Sequence, residues 1–358
     1  MRRERIVERM ARIHWGAALG AWAMIAGCGG GGDEASEPGG SDPPATSPPP
    51  AGAPTSAPAP EGPPSDPARA TPPPIPGYSG GACPTLVGGA TKATSLNSGF
   101  KSGKHTRGFH LIVPPSYDGT KAWPVFFAWH WLNASARSFI DQGELESATE
   151  QMKFIAVVPE ELRDGSNKKA YQMDWPFVET WGAADELLFI DDMLSCVNAQ
   201  YAIDPARVYG VGVSAGALWA TYVSTTEHAN RFAGIESLSG GLGADPVGVW
   251  KMKYVPQANK FPALVLWGGS QDVLAVDFAK SSMSYRDELR KDSHFVVQCI
   301  HDAGHAIPPV DPPANGTTRF AVLWQFMLDH PYGLAPGDSP YKTKGLPAVF
   351  PSWCKVVP

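Results

Sequence analysis

The stretch RVYGVGVSAGALWATYV, residues 207–223, constrains the fold more than any other in the chain. Its first half is a β-branched apolar run, the pattern of a strand buried on both faces. Its second half spaces apolar residues as a helix does. Between them lies Gly212-Val213-Ser214-Ala215-Gly216, room for nothing larger than a tight turn. A buried strand passing straight into a helix belongs to a layered α/β architecture.

The same alternation runs through the rest of the chain. Strands are expected at 107–114, 123–130, 153–159, 232–239, 261–268 and 294–301, besides 207–213. Helical spacing is found at 182–198, 215–226, 278–291 and 318–330. Strands interleaved with helices predict an α/β domain: a mostly parallel central sheet with helices on both faces. In such sheets the chemistry collects beyond the carboxyl ends of the strands. No internal repeat period is visible.

The ends of the chain read differently. Residues 1–27 carry five arginines and two glutamates, then an apolar run at 15–27. That is a secretory signal, its apolar part too short to span a bilayer. It closes on Ile25-Ala26-Gly27-Cys28, which resembles a bacterial lipobox. The resemblance implies cleavage before Cys28, its acylation, and a membrane anchor. The alternative is an ordinary signal cut near Ala26 that leaves Cys28 as a thiol. Residues 28–77 are nearly all Gly, Ser, Pro, Ala, Thr, Asp and Glu, with almost nothing to bury, and read as a tether. The folded domain is expected over 78–335, with a Pro/Gly-rich tail at 336–358 packed on it.

Net charge is −6, and −9 without the first 27 residues. No basic stripe is present, which argues against nucleic acid as a partner. Cys83, Cys196, Cys299 and Cys354 make an even number in an exported chain, which fits two disulfides among three possible pairings. No Cys/His spacing suggests a metal, and no cofactor is expected.

Gly212-x-Ser214-x-Gly216 between strand and helix has the context of a nucleophile elbow. Ala215 then supplies one backbone N–H for an oxyanion hole. A serine needs a base, and His228, His294, His301, His305 and His330 follow it. His228 and His330 end helices and read as surface residues near a helix C-terminus. His305, in Asp302-Ala303-Gly304-His305, sits in a loop just past a strand and is preferred to His301. For the acid, Asp272 follows a strand in a Gly-Gly-Ser-Gln-Asp turn, while Asp277 opens a helix, where capping alone favours it. Asp272 is preferred and Asp277 held in reserve.

These motifs resemble the polyhydroxybutyrate depolymerase and feruloyl esterase group of α/β-hydrolases. The likeness rests on Asp204-Pro205-Ala206-Arg207-Val208 before the elbow, GVSAG itself, WGGSQD ending at Asp272, Gly304-His305, and VFFAWHWLNAS. It covers most of 80–330 and implies an α/β-hydrolase fold, a triad of Ser214, Asp272 and His305, and carboxylic-ester hydrolysis. It also implies a second oxyanion N–H from Leu132 or Trp131, with His130 bracing that loop. Many relatives carry His-Gly there, where this chain has His130-Trp131.

Trp131 and Trp175 fall on expected loops and are candidates to flank the substrate, and 164–182 is the candidate lid. The substrate expected is a small or oligomeric ester, of feruloyl or acetyl type ahead of poly(3-hydroxybutyrate). The competing reading is a surface lipoprotein that keeps the fold and binds a ligand without catalysis.

Overall fold

In the computed structural model of the chain, residues 70–164, 166–177, 182–243, 252–313 and 316–358 are described. The expected signal, Cys28 with its expected acylation, and most of the expected tether lie outside them. Nine strands form one sheet: β1 (Leu96–Ser102), β2 (His105–Ile112), β3 (Trp123–Trp129), β4 (Ile155–Pro159), β5 (Ile203–Val213), β6 (Gly234–Leu238), β7 (Ala263–Trp267), β8 (Val296–Ile300) and β9 (Cys354–Val356). Their order is β1-β2-β4-β3-β5-β6-β7-β8-β9. Every pairing from β4 to β8 is parallel, whereas β1–β2, β2–β4 and β8–β9 are antiparallel. The sheet is therefore mixed, a parallel centre flanked by antiparallel edges.

The helices are α1 (Ala136–Gln142), α2 (Leu145–Met152), α3 (Ala183–Gln200), α4 (Ala215–Ser224), α5 (Phe278–Lys291), α6 (Ala321–Leu328) and α7 (Pro340–Lys344). Alternate strand positions face opposite sides, as a period of two requires. Phe126, Ala128, Tyr209, Val211, Leu264 and Leu266 form one core with residues of α1, α2 and α6. From the intervening positions, Phe127 meets Phe232, and Phe109 meets Phe189 of α3. Both faces of β3 and β7 are buried, which is why their sequences are continuously apolar.

The expected tether ends earlier than the sequence suggests. Arg231 donates to the Pro74 carbonyl, so the chain already lies on the domain before residue 77. At the other end the tail supplies α7 and β9, and Cys354 is bonded to Cys299 of β8. A second disulfide joins Cys83 to Cys196 of α3. Among the described residues no helix is long and apolar enough to cross a membrane.

Candidate active site

Ser214 lies between β5 and α4 with φ 55° and ψ −115°, a conformation that costs a non-glycine residue of order 1–3 kcal/mol. Its N–H donates to Leu238 (2.9 Å) and its carbonyl accepts from Leu218 (2.9 Å), which holds the turn. The two glycines of the motif act by absence. A Cβ on Gly212 would stand 2.1 Å from the Gly216 carbonyl oxygen, and one on Gly216 would stand 2.1 Å from that of Trp129. The same contacts bring the end of β3 onto the elbow.

His305 reaches Ser214 from the loop after β8. Its Nδ1 donates to Asp272 Oδ1 (2.6 Å), since a carboxylate only accepts. Nε2 is then the acceptor, 2.9 Å from Ser214 Oγ. The imidazole stacks on Phe278 at a centroid distance of 4.3 Å. Gly304 N–H donates to the Gly268 carbonyl, tying the loop that carries His305 to the turn that carries Asp272.

Asp272 is wholly buried after β7. Its Oδ2 accepts from Gly268 N–H (2.9 Å) and Ser239 Oγ (2.8 Å). Burial pushes its carboxyl up, but the hydrogen bond and charge of His305, with the Gly268 and Ser239 donors, outweigh this and hold it below the usual carboxylate range. Asp277 instead caps α5, accepting from Lys280 N–H (3.0 Å). Ser239 was not singled out in the sequence. The available signal is a serine at the end of a buried strand, before Gly240-Gly241.

The other histidines are engaged elsewhere. His228 faces Asp191 (3.1 Å), and His294 Nδ1 donates to the Phe261 carbonyl while its Nε2 faces the Tyr254 hydroxyl. His301 is buried and accepts from Ala303 N–H. His330 is wholly buried between Phe326 and Ser339, not on the surface as its position at a helix end suggested.

The oxyanion candidates fall beside the elbow. Ala215 provides the first helical N–H of α4, a group with no intrahelical partner. Among the described residues the N–H groups of Trp131 and Leu132 make no main-chain hydrogen bond. Asp174 accepts from the Asn133 N–H and pairs with Lys169, anchoring this loop. Trp131 is half-buried against Phe139.

Trp175 corrects the sequence expectation. It is fully buried, and its indole N–H donates to the His130 carbonyl (2.9 Å), so it braces the loop from within and offers no surface to substrate. Met173, Asp174 and Phe177 are buried with it. Within the described part of 164–182, residues 173–177 are thus packed support, whereas 164, 166–168 and 170 are exposed. Residues 165 and 178–181, including Trp181, lie outside the described residues.

Comparison with solved structures places this arrangement. Native sOPH aligns at a TM-score of 0.61 with 18% identity, covering 78% of this chain and 96% of that one. Native pOPH aligns at 0.58 with 17% identity, covering 74% and 94%. With a strand-to-helix serine turn at the carboxyl end of a mostly parallel sheet, the architecture is decided.

The chain has the α/β-hydrolase fold.

In sequence the chain is similar to two curated proteins. It is 30% identical over 118 residues to poly(3-hydroxyalkanoate) depolymerase C of Paucimonas lemoignei, a match covering 33% of this chain and 28% of the depolymerase. It is 23% identical over 266 residues to probable feruloyl esterase C of Aspergillus terreus, covering 66% of this chain and 89% of that protein. No protein-family model matches. The depolymerase and feruloyl esterase named by these relatives are the two groups that the motifs around Ser214, Asp272 and His305 resemble.

Proposed function

We propose that this α/β-hydrolase is an exported serine esterase that cleaves carboxylic esters through an acyl-enzyme. The observation that carries the reading is the unbroken chain Ser214 Oγ–His305 Nε2, His305 Nδ1–Asp272 Oδ1. A serine hydroxyl becomes a useful nucleophile when a neighbouring base accepts its proton, and an oriented carboxylate keeps that base in the right tautomer.

In this mechanism Ser214 Oγ attacks the ester carbonyl and His305 Nε2 takes its proton. The oxyanion is held by Ala215 N–H and by an N–H of Trp131 or Leu132, fixed donors aimed at developing charge. The tetrahedral intermediate collapses, and His305 returns the proton to the leaving alcohol. Water, activated by His305, then releases the acid and restores Ser214.

Supporting the substrate class, Val273 and Leu274 beside Asp272, and Ile307 beside His305, are large exposed apolar residues at the rim of the triad loops. They suit an ester with an apolar acyl part, of feruloyl, acetyl or 3-hydroxybutyrate type. The two disulfides fit an oxidising compartment. Retention at the membrane through an acylated Cys28 completes the reading.

The test is hydrolysis of p-nitrophenyl acetate and butyrate by the wild type beside Ser214→Ala. The wild type is expected to turn over both, with kcat lowered by about 10⁴-fold or more in the variant. An inert wild type would leave the fold without the activity. Release of ferulate, acetate and 3-hydroxybutyrate from their esters then ranks the substrates.

A further inference from the structure

Behind the oxyanion loop three side chains converge that the proposed reaction does not use. His130 follows β3, and Glu160 and Glu161 follow β4, so all stand at the carboxyl edge of the sheet. Each offers a donor atom, and the three atoms lie within 4.8 Å of one another.

His130 is fully buried. Nδ1 lies 2.9 Å from the Trp131 carbonyl oxygen, which can only accept, so Nδ1 carries a proton. Nε2 faces Glu161 Oε2 at 3.4 Å and makes no hydrogen bond. A charge-assisted N–H···O bond would close to about 2.7–2.9 Å. Two donors bound to one metal ion at about 2.1 Å stand roughly 3.0–3.5 Å apart at tetrahedral or octahedral angles. The observed spacing matches the second case.

The remaining atoms of the trio are already engaged. Glu160 Oε2 accepts from Ala136 N–H (3.0 Å) at the start of α1, and Glu161 Oε1 is paired with Arg163. An imidazole whose far nitrogen donates to a carbonyl, and carboxylates anchored through their other oxygens, form the outer support typical of metal ligands.

We propose that His130 Nε2, Glu160 and Glu161 bind one divalent cation of the Mn²⁺ or Zn²⁺ class. One imidazole and two carboxylates are a borderline-to-hard donor set, which suits these ions. The cation ties the end of β3 to the end of β4, directly beneath the segment bearing Trp131 and Leu132. The proposal is independent of ester hydrolysis, because binding is measured without turnover.

The test uses the full chain stripped with a chelator. Mn²⁺ is the lead probe because a stray cysteine thiolate is a poor ligand for it, and Zn²⁺ is the second. Calorimetric titration is expected to show one ion per chain and a rise in melting temperature. Glu161→Gln and Glu160→Gln, each checked for native circular dichroism, are expected to weaken binding by more than the roughly 10–100-fold lost with an outer partner alone. Two variants are used so that misfolding of one leaves the other to decide. If folded, stripped wild type takes up neither ion, His130 and Glu161 are a simple imidazolium–carboxylate pair and the proposal fails. It fails equally if both ions bind the wild type and the folded variants alike, since the ion then sits elsewhere.

Discussion

At the residue scale, Ser214 occupies a backbone conformation that only its surroundings sustain, and the same surroundings aim its hydroxyl at His305. The strain and the approach of Oγ to His305 share one cause, the turn from β5 into α4. Asp272 depends likewise on its neighbours, of which Ser239 is, among the described residues, the one side chain besides His305 that hydrogen-bonds to it. The Ser239→Ala variant leaves Oδ2 with the Gly268 N–H alone, so burial draws the carboxyl pKa up. Because the folded pKa is depressed, the stability Asp272 contributes is present above the unfolded value and lost as pH falls through the folded one. In the variant that loss begins at a higher pH, and the acid-unfolding midpoint is expected to rise. A hydrogen bond to a charged group is worth about 1.5–3 kcal/mol, so kcat/KM should drop by roughly ten- to a hundredfold. An unmoved midpoint with unchanged activity would show that Ser239 does not support the acid. Ser214, Asp272 and His305 were legible because each sits next to a glycine-bearing turn at a strand end. Ser239 and Trp175 were not. A hydroxyl's partner and a loop tryptophan's burial depend on contacts between distant segments, which local pattern does not encode.

At the element scale, β3, β4 and β7 were legible because strands buried on both faces are written as unbroken apolar runs, and β5, β6 and β8 stood out despite Arg207, Glu236 and Gln298. The expected ends mostly ran a residue or two beyond the observed ones, the usual fraying of such boundaries. β1 escaped notice because LNSGFKS is an edge strand with only alternate burial and a glycine at its irregularity. α1 and α2 are one to two turns each, too short for a helical period to stand out. β9 is three residues, too short for a strand pattern, paired to β8 at the residues that the Cys299–Cys354 bond joins. That bond closes a loop with a sequence separation of 55, worth about 4 kcal/mol if it acts mainly by restricting the unfolded chain. Cys354→Ser is therefore expected to lower the urea midpoint while leaving esterase activity measurable at low temperature. Since β8 leads into the loop carrying His305, inactivation without any loss of stability would mean that β9 positions the base directly.

At the scale of the whole molecule, one sheet edge gathers everything the proposed chemistry needs. Ser214, Asp272 and His305 follow β5, β7 and β8, and the proposed oxyanion loop follows β3, so four elements distant in sequence meet at one end of the sheet. The central claim is that this meeting makes Ser214 a nucleophile. The most direct measurement is covalent labelling with a fluorophosphonate, followed by mass spectrometry of the peptides. The account predicts one adduct per chain, on the peptide containing Ser214, with labelling abolished in Ser214→Ala and slowed about 10⁴-fold in Asp272→Asn. A folded wild type that takes no label, or one labelled at a different serine, would contradict it.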